Sequence, residues 1–160
     1  MKLYSFPPIA APDAQVLILG TMPSVKSLQL SQYYGNKANA FWKLMFLICN
    51  EPFSLDYNVR KDLLIKNKIA VWDTLQACER EGSLDSAINS EVPNNFEDFF
   101  NSHPEIKLIA FNGLSAAAYF HAHGKKPLNV VLVTLPSTSP ANASMSFNQK
   151  LKAWEIIREV

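Results

Sequence analysis

The sequence predicts an α/β fold: one domain over residues 1–160, built as a three-layer α/β/α sandwich around a central, mostly parallel four-stranded sheet. Three observations predict it. Four short apolar runs, at residues 16–19, 69–72, 108–111 and 130–133, read as strands, the first of them fully buried. Helical patterns separate the runs, and strand–helix–strand crossovers within one sheet are parallel and right-handed. The 160 residues, 48% hydrophobic and 18% charged, suit one compact core.

The elements follow in order. Pro7, Pro8 and Pro12 make the first dozen residues an extended lead-in, and Val16-Leu17-Ile18-Leu19 forms a strand ending at Gly20. A polar, glycine-containing loop runs to Asn39, the natural N-cap of a helix that spaces Phe41, Trp42, Met45 and Ile48 along one face. A helix over 58–66 leads to the strand Ile69-Ala70-Val71-Trp72, which ends at Asp73. After a polar excursion Asn95 caps a short helix. Leu108-Ile109-Ala110-Phe111 then ends at Asn112-Gly113, and a helix over 114–123 stops at Gly124. Val130-Val131-Leu132-Val133 is the fourth strand, followed by the loop 135–144 and an amphipathic helix over 147–158. Trp42, Trp72 and Trp154 are expected in the core.

Composition excludes several classes of function. Fifteen Lys and Arg against fourteen Asp and Glu give a net charge of +1, so no tail grips nucleic acid by bulk charge. The sequence has no run near the roughly 20 apolar residues of a membrane span, and its start lacks a secretory core, so a cytoplasmic protein without membrane partners is expected. Cys49 and Cys78 stand alone and are expected to be small buried apolar residues, with no disulfide, zinc or iron–sulfur site. GxGxxG, GxxxxGK[ST], GxSxG and HExxH are all absent. No metal and no organic cofactor is expected. His103, His121 and His123 fall away from the strand ends, where an open α/β sheet binds its ligands.

The loops to watch therefore begin at Gly20, Asp73, Asn112 and Leu135. The first, Gly20-Thr21-Met22-Pro23-Ser24 with Tyr33-Tyr34-Gly35-Asn36-Lys37-Ala38-Asn39, joins backbone donors, aromatic faces and an amide just before a helix N-terminus. The last, 135–142, offers hydroxyls and amides that suit phosphate oxygens. Two such loops on one sheet edge point to a nucleotide or nucleic-acid site.

The segments GTMPS, YYGNKANAFW, VWDTLQACEREGSLDSAI, FNG and LPSTSPAN, in that order across nearly the whole chain, resemble the uracil-DNA glycosylase superfamily, most closely its hypoxanthine-DNA (deoxyinosine) glycosylase branch. Two positions depart from the wider superfamily: Met22 stands where uracil-removing members carry Asp or Asn, and Leu135 where many carry His or Asn. The resemblance implies a monofunctional DNA-repair glycosylase that flips a deaminated base, chiefly hypoxanthine, out of DNA and hydrolyses its N-glycosidic bond to leave an abasic site. It implies Asn39 as the catalytic residue and Tyr34 as the stacking aromatic, with Tyr33 as the fallback.

The chemistry follows from the residues. Cleavage passes through an oxocarbenium-like sugar with charge moving onto the base, so it needs leaving-group stabilisation and a positioned water. Backbone amides of Thr21 and Met22 and the carboxamide of Asn39 can supply these. Asp73 can accept the N1–H that hypoxanthine has and adenine lacks, or it can cap the following turn. Ser137, Thr138, Ser139 and Asn142 are the expected DNA contacts, 140–142 lying where relatives insert into the gap left by the extruded nucleotide. Lys26, Lys37, Lys43, Lys125 and Lys126 can add local positive surface. Asn112 reads as a turn former. A monomer acting on DNA in the cytoplasm, at the nucleoid, is expected. The alternatives are an enzyme of the same fold acting on uracil or related pyrimidines in DNA or on a free nucleoside, and a non-catalytic module that binds nucleic acid or nucleotide in the same crevice.

Overall fold

The computed structural model describes residues 2–160. Its elements, in chain order, are β1 (Lys2–Tyr4), β2 (Val16–Gly20), α1 (Val25–Leu30), α2 (Phe41–Ile48), α3 (Tyr57–Lys66), β3 (Ile69–Asp73), β4 (Leu75–Glu79), β5 (Asn89–Pro93), α4 (Phe96–Ser102), β6 (Leu108–Asn112), α5 (Leu114–His123), β7 (Val131–Leu135) and α6 (Phe147–Trp154). Short 3-10 turns cover Asp85–Ala87 and Glu155–Glu159.

β3, β2, β6 and β7 form the central sheet in that order, every pair parallel. All five residues of β2 and all five of β3 are buried, because successive side chains alternate between two covered faces. Val16, Ile18, Val71 and Ala110 point into one cluster with Phe41, Leu44, Met45, Leu64 and Trp154 of the helices α2, α3 and α6. Leu17, Leu19, Trp72 and Phe111 point into the other, with Phe96, Phe99 and Phe120 of α4 and α5. That is the three-layer sandwich, with Trp42, Trp72 and Trp154 all in its core.

The strand register aligns the site. Gly20 pairs with Asp73, Leu19 with Phe111, and Asn112 with Leu135, so Asp73, Gly20, Asn112 and Leu135 stand in one row across the carboxyl edge. The chain winds to opposite sides of β2, which puts the ligand crevice above it.

Several expectations are corrected. The polar excursion after Asp73 is structured: β4 follows β3 after the single residue Thr74 and pairs antiparallel with β1 and β5 in a second, three-stranded sheet. Its buried side, Leu75 and Cys78, packs with Met22 in a third cluster. The proline-rich lead-in likewise contains β1, and Ile9 bridges Val71. Residues 25–30, read as loop, form α1, capped by Ser24 Oγ accepting from the Ser27 N–H at 3.2 Å. The last helix is α-helical only to Trp154 and tightens into a 3-10 turn beyond it. Gly124 stops α5 in an extended conformation; a glycine serves there because a Cβ would lie 2.8 Å from the Phe120 ring. Cys78 is buried as expected, whereas Cys49 is half-buried at the end of α2.

Candidate active site

A cavity of about 610 Å³ opens above the strand-end row, between the 20–24, 33–39, 83–86 and 137–142 segments. Thr21, Met22, Tyr34, Asn39, Asp73, Ser137, Thr138, Ser139 and Asn142 all line it. Residues as far apart in the chain as Thr21 and Asn142 converge because parallel strands bring every carboxyl end to one side.

Asn39 closes the near wall. Ala40, not Asn39 as expected, stands at the N-cap of α2 and makes no side-chain capping bond; Asn39, one residue before it, makes that bond, its Oδ1 accepting from the Phe41 N–H at 3.0 Å. Its cap fixes the carboxamide by Oδ1 and leaves Nδ2 without a partner among the described residues, a positioned donor at the cavity. The turn that presents it is local: Asn36 Oδ1 accepts from the Ala38 N–H, and Asn36 O from the Asn39 N–H, both at 2.9 Å.

Tyr34 holds a left-handed backbone, φ 53°. For a tyrosine this costs about 1–3 kcal/mol and needs support on both sides. Trp42 Nε1–H donates to Tyr33 O, the Tyr33 N–H donates to Tyr57 Oη, and the Gly35 N–H donates to Ser27 Oγ, at 2.9, 3.0 and 2.9 Å. The Tyr34 ring stacks on Phe41 with centroids 4.0 Å apart, which backs one face rigidly. Its hydroxyl is buried without a hydrogen-bond partner. Tyr33 is a core residue instead, its hydroxyl on the carbonyls of Phe6 and Pro7 at 3.0 Å each.

Asp73 lies on the floor, 3% exposed. Its Oδ2 accepts from Ser5 Oγ at 2.6 Å, while Oδ1 flanks Gly20: a Cβ there would lie 2.8 Å from Asp73 Oδ1 and 2.9 Å from Tyr34 Oη. Burial pushes the carboxyl up from 3.8 to about 7, against the opposing pull of the Ser5 hydroxyl and of Arg80. Asp73 therefore does not cap the following turn with its side chain; Asn94 Nδ2 binds its carbonyl at 2.7 Å. A second carboxyl, Asp85, also lines the cavity and is raised by burial, with the Thr21 hydroxyl and Arg80 opposing. Neither Ser5 nor Asp85 stood out in the sequence. Ser5 is 68 residues from its partner, and Asp85 sat in the stretch read as polar loop.

Among the described residues the N–H groups of Thr21 and Met22 have no acceptor, while the carbonyls of Gly20 and Thr21 take the N–H groups of Thr74 and Leu75. The loop is thus held by its carbonyls and keeps its donors. The Met22 side chain is buried with Leu75 and Cys78, and Leu135 is buried in the core, so neither brings a polar group.

The far loop divides into two kinds of residue. Ser137 Oγ and Ser139 Oγ accept from the N–H groups of Ser139 and Ala141 at 3.1 and 3.2 Å, which leaves each hydroxyl proton to donate outward. Thr138 departs from its expected role as a DNA contact. It is 1% exposed, its N–H and Oγ1 both bind the Asn112 carboxamide at 2.9 Å, and its carbonyl accepts from the Ala40 N–H at 3.0 Å. Thr138 thus ties the end of β6 to the residue beside Asn39. Asn142 is likewise spent within the loop, Nδ2 on Ser137 O at 3.1 Å and Oδ1 under Ser144 Oγ at 3.3 Å. Asn112 is more than a turn former: it lines the cavity and holds Thr138 at two points.

No group of three or more His, Cys, Asp or Glu side chains is placed to hold a metal among the described residues, and no helix there is long and apolar enough to cross a membrane.

The comparisons agree with this geometry. The family model of the uracil DNA glycosylase superfamily matches residues 7–158. A hypoxanthine DNA glycosylase of Methanosarcina barkeri is 38% identical over 120 residues, 74% of this chain and 76% of that one. A protein of the same name from Methanosarcina acetivorans is 35% identical over 153 residues, 95% of each chain. The solution NMR structure of a candidate uracil DNA glycosylase from Methanosarcina acetivorans superposes with TM-score 0.85 at 34% identity, covering 99% of this chain and 98% of that one.

Proposed function

The chain belongs to the uracil DNA glycosylase superfamily, and from that premise we propose that it is a DNA-deoxyinosine glycosylase, releasing hypoxanthine from DNA by hydrolysis. The observation that carries this reading is the convergence of an Asn39 amide, free Thr21 and Met22 N–H groups and the Asp73 carboxyl on one cavity.

The deoxyinosine nucleotide rotates out of the duplex, at a cost that is least for a mismatched or damaged pair. The purine enters over Tyr34, whose ring Phe41 backs and whose stacking returns about 1–3 kcal/mol. Asp73 Oδ1 accepts the N1–H. Adenine presents an acceptor there and, above about pH 7, where Asp73 is ionised, leaves the carboxylate unpaired. As the C1′–N9 bond lengthens, its electron pair passes to the purine, and the amides of Thr21 and Met22 meet the developing charge. Asn39 cannot take a proton near neutral pH; Nδ2 donates to the reacting groups and the second Oδ1 lone pair orients a water. The water oxygen bonds to C1′, its proton is lost to solvent, and the base leaves as an anion that takes up a proton. Lysine is absent from the cavity lining, which supports simple hydrolysis over a Schiff-base lyase step. Ser137 and Ser139 donate to flanking phosphates. The single domain acts as a monomer on DNA in the cytoplasm, at the nucleoid, without metal or organic cofactor.

The test is base release from matched duplexes with one hypoxanthine or one uracil, read as strand breakage after alkali. Asn39→Ala should lower the single-turnover rate about 10²–10³-fold, as loss of one preorganised donor does. It should also cost about 1 kcal/mol of stability through the lost cap. Release of uracil alone moves the chain to a pyrimidine branch, and tight binding without release makes it a binding module.

A further inference from the structure

A second concavity, of about 400 Å³, lies beside the first between the 32–39 loop, α2 and the start of α3. The two share Tyr34, Asn36 and Asn39 as a common wall. Lys37, Lys43 and Arg60 supply three cations to the second, and none of its lining residues is acidic. The chain as a whole carries 15 basic and 14 acidic residues, so this local excess is not its average surface.

Arg60 sets the character of the floor. It is 8% exposed, and its guanidinium lies over the rings of Trp42 and Phe53, 5.4 and 5.3 Å from their centroids. Nε donates to Ser54 O at 2.8 Å, while the two terminal nitrogens have no hydrogen-bond partner and no carboxylate among the described residues. A buried cation without a counter-ion is costly, and its planar fork fits a phosphodiester. Next to it Phe53 and Leu55 are 47% and 71% exposed, an apolar face with an aromatic ring on which an unstacked base can lie.

We propose that this concavity is a nucleotide subsite for the DNA strand that carries the extruded nucleotide, holding the adjoining phosphodiester on Arg60, Lys37 and Lys43 and the adjoining base against Phe53 and Leu55. The shared wall selects that occupant, since a strand leaving the first cavity past Asn36 and Asn39 enters the second. A neighbouring nucleotide already out of the stack also lowers the cost of extruding the target. The inference rests on the glycosylase reading for the nature of the strand, and its test is a binding measurement that needs no base release.

Fluorescence anisotropy of the full chain would compare single-stranded oligonucleotides carrying a central deoxyinosine with others ending at it on the 5′ or the 3′ side. One of the two truncations should weaken wild-type binding about tenfold, the worth of one stacked base. Lys43→Gln and Leu55→Ser, both at exposed positions, should weaken binding of the full oligonucleotide and lose little further on that truncation. Lys43→Gln should also lower the log–log salt slope by about one. Arg60→Met should act the same way, and the exposed pair decides the matter where that buried change impairs folding. Wild-type affinity that ignores both truncations overturns the subsite, as do variants that bind like wild type or whose losses simply add to the truncation. A free mononucleotide that saturates the site without any truncation effect also overturns it. The expected pattern in a protein that releases no base would keep the subsite and reject the glycosylase reading.

Discussion

Asp73→Asn isolates the energetic cost of the charge on the cavity floor. The carboxyl titrates near 3.8 in the unfolded chain and at about 7 in the fold, with burial the main cause, and the residue is 3% exposed. Because the folded value is the higher, the folded state holds the proton more tightly. Below about pH 4 both states are protonated and the group costs nothing. As pH rises from there towards 7, wild-type stability falls by about 1.4 kcal/mol per unit, and above 7 the full penalty of about 4 kcal/mol applies. Asparagine keeps the shape and an oxygen for Ser5 but does not ionise. Urea unfolding at about pH 5 and about pH 8.5 would therefore show the difference, mutant minus wild type, rising by about 3 kcal/mol in favour of the mutant. Any fixed cost of the substitution cancels between the two conditions. A difference that stays within about 0.5 kcal/mol would mean that the carboxylate is compensated in the fold and that the burial argument fails.

Gly20→Ala should abolish base release and destabilise the fold by about 1–3 kcal/mol, since its methyl meets Asp73 Oδ1 and Tyr34 Oη at 2.8 and 2.9 Å; single-turnover release beside a urea melt checks both. Thr138→Val leaves the half-buried Asn112 Nδ2 without its acceptor and should cost about 1–3 kcal/mol while lowering kcat with little change in KM. A raised KM with kcat little changed would instead restore Thr138 as a phosphate contact.

The parts of this protein that depend on neighbours in the chain were legible in the sequence. Four runs of apolar residues, Asn95 and Asn39 as caps, and the strand ends at Gly20, Asp73 and Asn112 all follow from periodicity and capping chemistry within a few residues. The order of motifs along the chain carried the family. The second sheet was not legible, because β1 is three residues long and β4 is short, irregularly paired and polar at every outward position. The state of the cavity groups was legible even less. A threonine between two serines looks like its neighbours until the fold buries it against Asn112, 26 residues away. An aspartate at a strand end looks ionised until the closed floor takes water from it, against the opposing pull of the Ser5 hydroxyl. Hydrogen-bond commitment and desolvation are set by which distant atoms exclude water. Local sequence fixes which groups the backbone offers at the carboxyl edge, and only tertiary packing decides which remain free and which carry charge.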